Sequence, residues 1–424
     1  MSSRFLILFC GALVAFGISG CGAPHSPMTL ALVTQPTRKN SLVKATSAKV
    51  SAAHQRIVRV EEVPNRVVTQ SGLSVPRGFG VQLLAENLFV PRRMTFAPGA
   101  TASQYDVFLS ESKADRVSVL RVRKGRVVSK ATFTREVSQP YGLAFWNNWL
   151  YVGNTDSVVR FPYRRGTVKA AGGAQRIAGL TKGGYNQHWT RNLLFDRSGK
   201  KLFVTVGSSC NSCEESSPQR AAISEMNPDG SARRVFASGF RNPVGLAWQP
   251  NTNNLWTVVN ERDKLGDNVP PDYLTVVRQG AFYGWPYAYT DIERRIHADP
   301  NFGARRPDKV SETRVATVPV QAHSAALGVA FYPVQGGNFP KDYWGNAFLS
   351  FHGSWNRSEK TGYKVVRVHF QNGQPTRITD FVQGFLRRGR SWGRPVDVQI
   401  APDGSMLFSD DSGGKIWRVF YIGK

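Results

Sequence analysis

The sequence predicts an all-β fold, a six-bladed β-propeller with long loops inserted on one face. Three observations carry the prediction. Short strand-like runs with a period of two recur from residue 93 to residue 421. Hairpin turns such as Ala401-Pro402-Asp403-Gly404 and Asp196-Arg197-Ser198-Gly199 separate them. Continuous helical periodicity is almost absent. A pair of β-sandwiches is the rival architecture, but it does not predict six phrases of one internal order.

The units follow one another along the chain. Arg93 to Val122 contains RMTFAPG, YDVFLSES and RVSVLRV. Tyr141 to Tyr163 reads YGLAFWNNWLYVGNTDSVVRFPY, and Arg191 to Asn227 contains RNLLFDRSGKKLFVTVGS and AAISEMN. Val244 to Glu261 is VGLAWQPNTNNLWTVVNE. Leu327 to Phe370 contains LGVAFYP, WGNAFLSFHGSW and YKVVRVHF, and Val396 to Tyr421 closes with VDVQIAPDGSMLFSDDSGGKIWRVFY. Each unit is a strand, a turn, a second strand, a loop with small or acidic residues, and usually a third strand. Their uneven spacing requires insertions, the longest between Asn260 and Thr290 and between Asp291 and Gln321. In a propeller such loops gather over the central channel, where function sits.

Two other segments precede the repeats. Residues 1–20 read as an export signal, with Arg4 ahead of the apolar run Phe5–Ile18. The run is too short for a comfortable membrane span. It ends in Ile18-Ser19-Gly20-Cys21, which resembles the bacterial lipoprotein cleavage box and implies a lipidated Cys21; an ordinary secretory signal is the alternative. Residues 21–72, rich in Ser, Ala, Thr, Val and basic residues, read as a disordered tether, and 73–424 as the propeller. These readings place the protein outside the cytoplasm, in the periplasm and anchored to the membrane by lipid.

The chain of 424 residues is 41% hydrophobic and 11% aromatic, the composition of a protein with a sizeable core, and carries a net charge of +26. The charge is spread along the chain, which suits a solvated basic surface. No nucleic-acid-binding signature accompanies it, so no nucleic-acid partner is expected. An anionic membrane or an acidic partner stays open. Cys10 falls in the signal, leaving Cys210 and Cys213 as C-N-S-C. In an oxidising compartment a local disulfide is expected. A thioredoxin-like role needs a βαβ pattern that is missing here.

Candidate functional residues cluster where units begin. His188, in QHWTRN before the third unit, suits a general base. Arg241 and Asn242, in GFRNP before the fourth, offer a planar cationic fork and an amide donor. Arg394 precedes the last unit in the same way, and His323 precedes the fifth. Glu261, Asp263, Asp267, Asn268 and Asp272 crowd one loop broken by Gly266 and Pro270-Pro271. Hard oxygen donors on an irregular loop suit Ca²⁺, although the spacing is not that of an EF-hand. The loop His352-Gly353-Ser354-Trp355-Asn356-Arg357 offers an aromatic face for stacking on a flat ligand. Each of these residues also has a structural reading: a satisfied histidine, a blade-bridging arginine, a solvated acidic loop or a packed tryptophan. No P-loop, dinucleotide fingerprint, Gly-x-Ser-x-Gly or His-Glu-x-x-His motif occurs, which lowers those enzyme classes.

Together QHWTRNLLF, GFRNPVGLAW, NERDKLGDN with FYGWP, HGSWNR and GRPVDVQIAPDG resemble the soluble pyrroloquinoline-quinone-dependent sugar dehydrogenases, in their sorbosone and aldose dehydrogenase branch, over roughly Val75 to Tyr421. The resemblance implies a six-bladed propeller that oxidises an aldose or related aldehyde, with pyrroloquinoline quinone and Ca²⁺ as cofactors. It implies His188 as the base, aided by Arg241, while hydride passes to the quinone. Arg241 and Asn242 would hold the quinone oxygens, and Arg394 a cofactor carboxylate. His323, His352, Trp355 and Arg357 complete the expected cofactor set, and Glu261, Asp263, Asp267 and Asp272 the metal set. Electrons would pass to a periplasmic acceptor. The chain departs from the glucose dehydrogenases: Val396 stands where they carry a second arginine, HGSWNR replaces their lysine loop, and Gln187 stands where an acid precedes the base. Arg357 or His352 stands as the substitute for that lysine. The rival functions are a calcium-dependent lactonase-like hydrolase and a non-enzymatic binding propeller of the envelope.

Overall fold

The computed structural model describes residues 60–183 and 188–423. Six sheets follow in chain order, each built on a blade of four antiparallel strands. Blade one is Pro91–Phe96, Gln104–Glu111, Arg116–Arg123 and Arg126–Thr134. Blade two is Leu143–Trp146, Trp149–Gly153, Ser157–Pro162 and Gln175–Gly179. Blade three is Leu193–Phe195, Leu202–Val206, Ala222–Met226 and Arg234–Ser238. Blade four is Asn242–Trp248, Leu255–Asn260, Tyr273–Val277 and Val318–Pro319. Blade five is Ala326–Phe331, Ala347–Phe351, Lys364–Gln371 and Gln374–Val382. Blade six takes Pro395–Ile400, Met406–Asp410 and Lys415–Tyr421 from the end of the chain, and its outer strand, Phe79–Ala85, from the beginning. That pairing closes the ring.

The core explains why the second strand of each blade is buried at nearly every position. Successive side chains of a strand face opposite sides of its sheet, and each blade is covered on both sides by its neighbours. Phe108 packs with Phe133, Leu150 and Phe161 between blades one and two. Its neighbours Val107 and Leu109 pack with Leu407 and Ile416 between blades one and six. The core is thus a ring of layers between blades.

The recurring phrase YGLAF, VGLAW, LGVAF also has a spatial cause. A Cβ on Gly142, Gly245 or Gly328 would lie 2.5, 2.8 or 2.8 Å from the carbonyl oxygen of Arg191, Leu327 or Val396, so glycine is required where inner strands converge. At the corresponding places of blades one and six stand Arg93 and Asp397, a buried ion pair at 2.6 Å. Tyr141, Val244, Leu327 and Val396 meet near these positions in a small apolar cluster.

Described strands also precede residue 73, within the span read as a tether. Val60–Glu61 pairs in parallel with Ile378 and Thr379 on the edge of blade five. Arg66–Val68 pairs with Ser74–Pro76, and the Arg66 guanidinium donates to the carbonyls of Asp380 and Phe381 at 3.0 Å each. Backbone pairing at the blade edge outweighs the tether-like composition. The export segment and Cys21 lie outside the described residues. Among the described residues no helix is long and apolar enough to cross a membrane.

Candidate active site

The inner strands begin around one end of the channel, so the residues just before them share a single space. There lies a cavity of about 390 Å³, whose lining is rich in polar side chains. The volume falls in the range of small-molecule sites, about 300 to 1,000 Å³. It brings together His188, Arg241, Asn242, Glu261, Asp263, Asp272, His323, His352, Trp355 and Arg394 from widely separated parts of the chain. Trp355 is 63% exposed, with its ring at the mouth.

His188 is buried. Its Nδ1 lies 3.0 Å from Ser208 Oγ and 3.2 Å from the Ser208 carbonyl oxygen. The Ser208 hydroxyl donates to the Cys210 carbonyl at 2.6 Å. A carbonyl oxygen only accepts, so Nδ1 carries the proton and Nε2 is the basic nitrogen. Burial, then the positive charge of Arg241, holds the imidazole well below its ordinary pKa, so it is neutral at pH 7. Gly207 makes room beside it: a Cβ there would lie 2.3 Å from Asn242 Oδ1 and 3.1 Å from His188 Cβ.

The acidic loop divides into two parts. Glu261 and Asp272 line the cavity and are almost fully buried. The Glu261 amide donates to Asp272 Oδ1 at 2.9 Å, and Ala325 N donates to Asp272 Oδ2 at 2.7 Å. Glu261 Oε1 is buried without a hydrogen-bond partner. Burial pushes the Glu261 carboxyl up to about 7 and the Asp272 carboxyl up to about 6. Asn242 Oδ1 and Asn356 Oδ1, also in the cavity wall, are likewise buried and unpartnered. This is an acceptor-rich set that fits a hard divalent cation.

Asp263 is committed elsewhere. It pairs with Arg241 at 2.7 Å and accepts from Asn356 Nδ2 at 2.7 Å. Asp267 and Arg357 lie outside the cavity lining. The carboxylate of Asp267 accepts from Ser358, and Arg357 donates to Asn268 Oδ1 at 3.1 Å. The metal and cofactor sets expected from the sequence therefore narrow, because the loop turns Asp267 toward residues 357–358 of blade five.

Positive charge lines the remaining wall. Arg394 donates to the carbonyls of His352 and Gly353 at 3.1 and 2.8 Å. Arg92, which the sequence reading missed, lies over the rings of Tyr141 and Trp189 and pairs with Asp411. His352 Nε2 lies 2.9 Å from Asp411 Oδ1. Burial opposes ionisation of Asp411, but His352 and Arg92 outweigh it and hold the carboxyl well below its usual range. Three guanidinium groups, from Arg92, Arg241 and Arg394, thus border one cavity and fit a ligand carrying several carboxylates. His323 is oriented by its neighbours: Nε2 lies 2.9 Å from the Gly266 carbonyl, and Asn356 Nδ2 lies 3.3 Å from Nδ1. Arg92 could have been found from Pro91-Arg92, which places an arginine beside a proline at a strand start as Arg394-Pro395 does. Asn356 lay within HGSWNR, while Asn260 and Asp411 carried no distinctive spacing. Cys210 and Cys213 are joined, with Cα atoms 6.1 Å apart.

The likeness to the soluble sugar dehydrogenases holds in comparisons with known proteins. An uncharacterized protein of Borreliella burgdorferi is 30% identical over 365 residues, covering 83% of this chain and 91% of its own. The Escherichia coli aldose sugar dehydrogenase YliI is 27% identical over 205 residues, 46% of this chain and 47% of its own. The holo form of the pyranose dehydrogenase PQQ domain from Coprinopsis cinerea shares the fold at a TM-score of 0.70 and 19% identity, covering 85% of this chain and 98% of that one. A family model described as TrAA12-like matches residues 73–421, which span all six blades. The chain belongs to the TrAA12-like family.

Proposed function

We propose that the protein oxidises an aldose or a related sugar aldehyde, using pyrroloquinoline quinone and Ca²⁺. The observation that carries this reading is a neutral, buried His188, oriented through Nδ1, in one cavity with three arginines and an unpartnered Glu261 Oε1. The kinship with an aldose sugar dehydrogenase supports the sugar as substrate class. When bound, the quinone supplies the electrophilic two-electron acceptor and the cation polarises it.

The chain's own residues do the rest. Glu261 and Asp272 would hold the cation, with the amide oxygens of Asn242 and Asn356 nearby. Arg92, Arg241 and Arg394 would hold carboxylate groups, and Trp355 offers a face at the mouth. His188 Nε2 takes the proton of the substrate hydroxyl, while Ser208 keeps Nδ1 protonated and the ring aimed. The electrons then pass to an acceptor of the same compartment, which we take to be the periplasm, with the chain anchored through Cys21. Mass spectrometry of the mature N-terminus tests the anchor, since an unmodified or uncleaved terminus overturns it.

The central test is an absorbance titration of the calcium-loaded protein with pyrroloquinoline quinone, followed by a sugar panel. Saturable binding with sugar-dependent bleaching is expected. Absence of binding would sink the quinoprotein reading.

A further inference from the structure

The turn 207–213 of blade three supports more of the cavity wall than its own blade requires. Gly207 abuts Asn242, and Ser208 holds His188. Asn211 lies between the two bonded cysteines and reaches across to blade four. Its Oδ1 accepts from Arg241 Nη2 at 3.0 Å and from the Asp263 amide at 2.8 Å, and its Nδ2 donates to the Asp263 carbonyl at 3.0 Å. Its own carbonyl accepts from Arg241 Nε at 3.2 Å and Trp285 Nε1 at 3.1 Å. Arg241 and Asp263 are the residues so clamped, and both line the cavity.

We propose that Asn211, presented by the disulfide-closed turn, is the positioning residue that fixes Arg241 and Asp263 for an anionic ligand in the cavity. The inference rests on the reading that this cavity takes a quinone bearing carboxylates. An arginine side chain loses much rotamer freedom when a ligand immobilises it. A clamp made in advance removes that cost from binding. Only an amide of this length serves here: it accepts from a guanidinium and a backbone amide and donates to a carbonyl. Aspartate keeps the acceptors, loses the donor and places a second negative charge beside Asp263. Alanine loses both. The short loop closed by Cys210 and Cys213 restricts where the Asn211 backbone can go.

The test compares Asn211→Ala, Asn211→Asp and Ser212→Ala in the full, calcium-loaded chain. Ser212 shares the turn, but its hydroxyl has no hydrogen-bond partner. Thermal unfolding, hydrogen exchange at the Asp263 amide and absorbance titration with pyrroloquinoline quinone are measured together. Asn211→Ala is expected to keep a cooperative transition, lose protection at Asp263 and bind the quinone about 10- to 100-fold more weakly. Asn211→Asp is expected to weaken binding as well and carries the test if the alanine variant does not fold. Ser212→Ala is expected to match the wild type, and with bound quinone the sugar KM is expected to change little. Quinone binding by Asn211→Ala as tight as that of the wild type overturns the proposal. If the wild type itself binds no quinone, the functional reading fails. The clamp then stands or falls on Asp263 exchange, and unchanged protection in Asn211→Ala overturns it.

Discussion

The backbone amide of Glu261 donates to Asp272 Oδ1 at 2.9 Å, tying two buried carboxyl-bearing residues into one stretch of cavity wall. Burial raises both groups, to about 7 and about 6. Their contribution to the stability of the metal-free fold is therefore complete below about pH 4 and is lost as pH rises through those values, a change on the order of a few kcal/mol. The chelator-treated protein should melt at a lower temperature at pH 8 than at pH 5 as these groups ionise. Calcium should restore most of the difference at pH 8. Glu261→Gln should abolish the calcium response and Asp267→Ala should keep it, since Asp267 lies outside the lining. Differential scanning calorimetry decides. A calcium response lost in Asp267→Ala and kept in Glu261→Gln would reverse the assignment.

A base that acts through Nε2 should not be replaced by an amide of similar shape, which lacks basicity. His188→Gln should lower kcat by about 10²- to 10⁴-fold while quinone binding persists. Because burial and Arg241 hold the imidazole below its usual range, the acid limb of kcat/KM should lie below about pH 6.5. Steady-state kinetics across pH checks both statements. An acid limb above that value, or unchanged turnover, removes His188 from the proton transfer.

Asp411 joins Arg92 of blade one to His352 of blade five from its place in blade six. Removing one member of a buried ion pair strands the other, so Asp411→Ala should cost about 3–5 kcal/mol at pH 7. The carboxyl is held low by His352 and Arg92 once burial is overcome. Its stabilisation is present above the ordinary carboxylate range and is lost as pH falls below about 4. Urea unfolding of variant and wild type should differ widely at pH 7 and less at pH 3. An equal gap at both would show that charge is not what Asp411 contributes.

Among the described glycines, Gly207 is the one where a methyl group would meet both His188 and Asn242. Gly207→Ala should displace the Asn242 side chain, whose Oδ1 would lie 2.3 Å from the new carbon. The inter-blade cores are untouched, so the melting temperature should change little. Turnover should fall by at least tenfold, about 1.4 kcal/mol of transition-state stabilisation. Wild-type turnover in this variant would show that the Asn242 position is immaterial.

Much of the architecture was legible because it is written in short windows. Period-two strands, the turns at Asp196–Gly199 and Ala401–Gly404, and the phrases YGLAF, VGLAW and LGVAF each span a few residues and report local backbone geometry. The phrases before the inner strands also placed His188, Arg241, Asn242 and Arg394 at one mouth, since a propeller repeats the same exit for every blade. By itself the sequence determined six blades, their order and the residues that start them.

Tertiary structure decided what those residues touch. Phe79–Ala85 pairs with Lys415–Tyr421 across the whole chain, and Val60–Glu61 docks on blade five. Asp263 and Asp267 look alike in the acidic loop, yet one is locked against Arg241 and the other lies beside residues 357–358. Arg92 and Asn356 enter the site from two other blades, and Asp411 braces Arg92 and His352 from a third. Pairings of this kind depend on how the closed ring aligns distant segments. A side chain's partners there follow from position across the channel, which no window of neighbouring residues encodes.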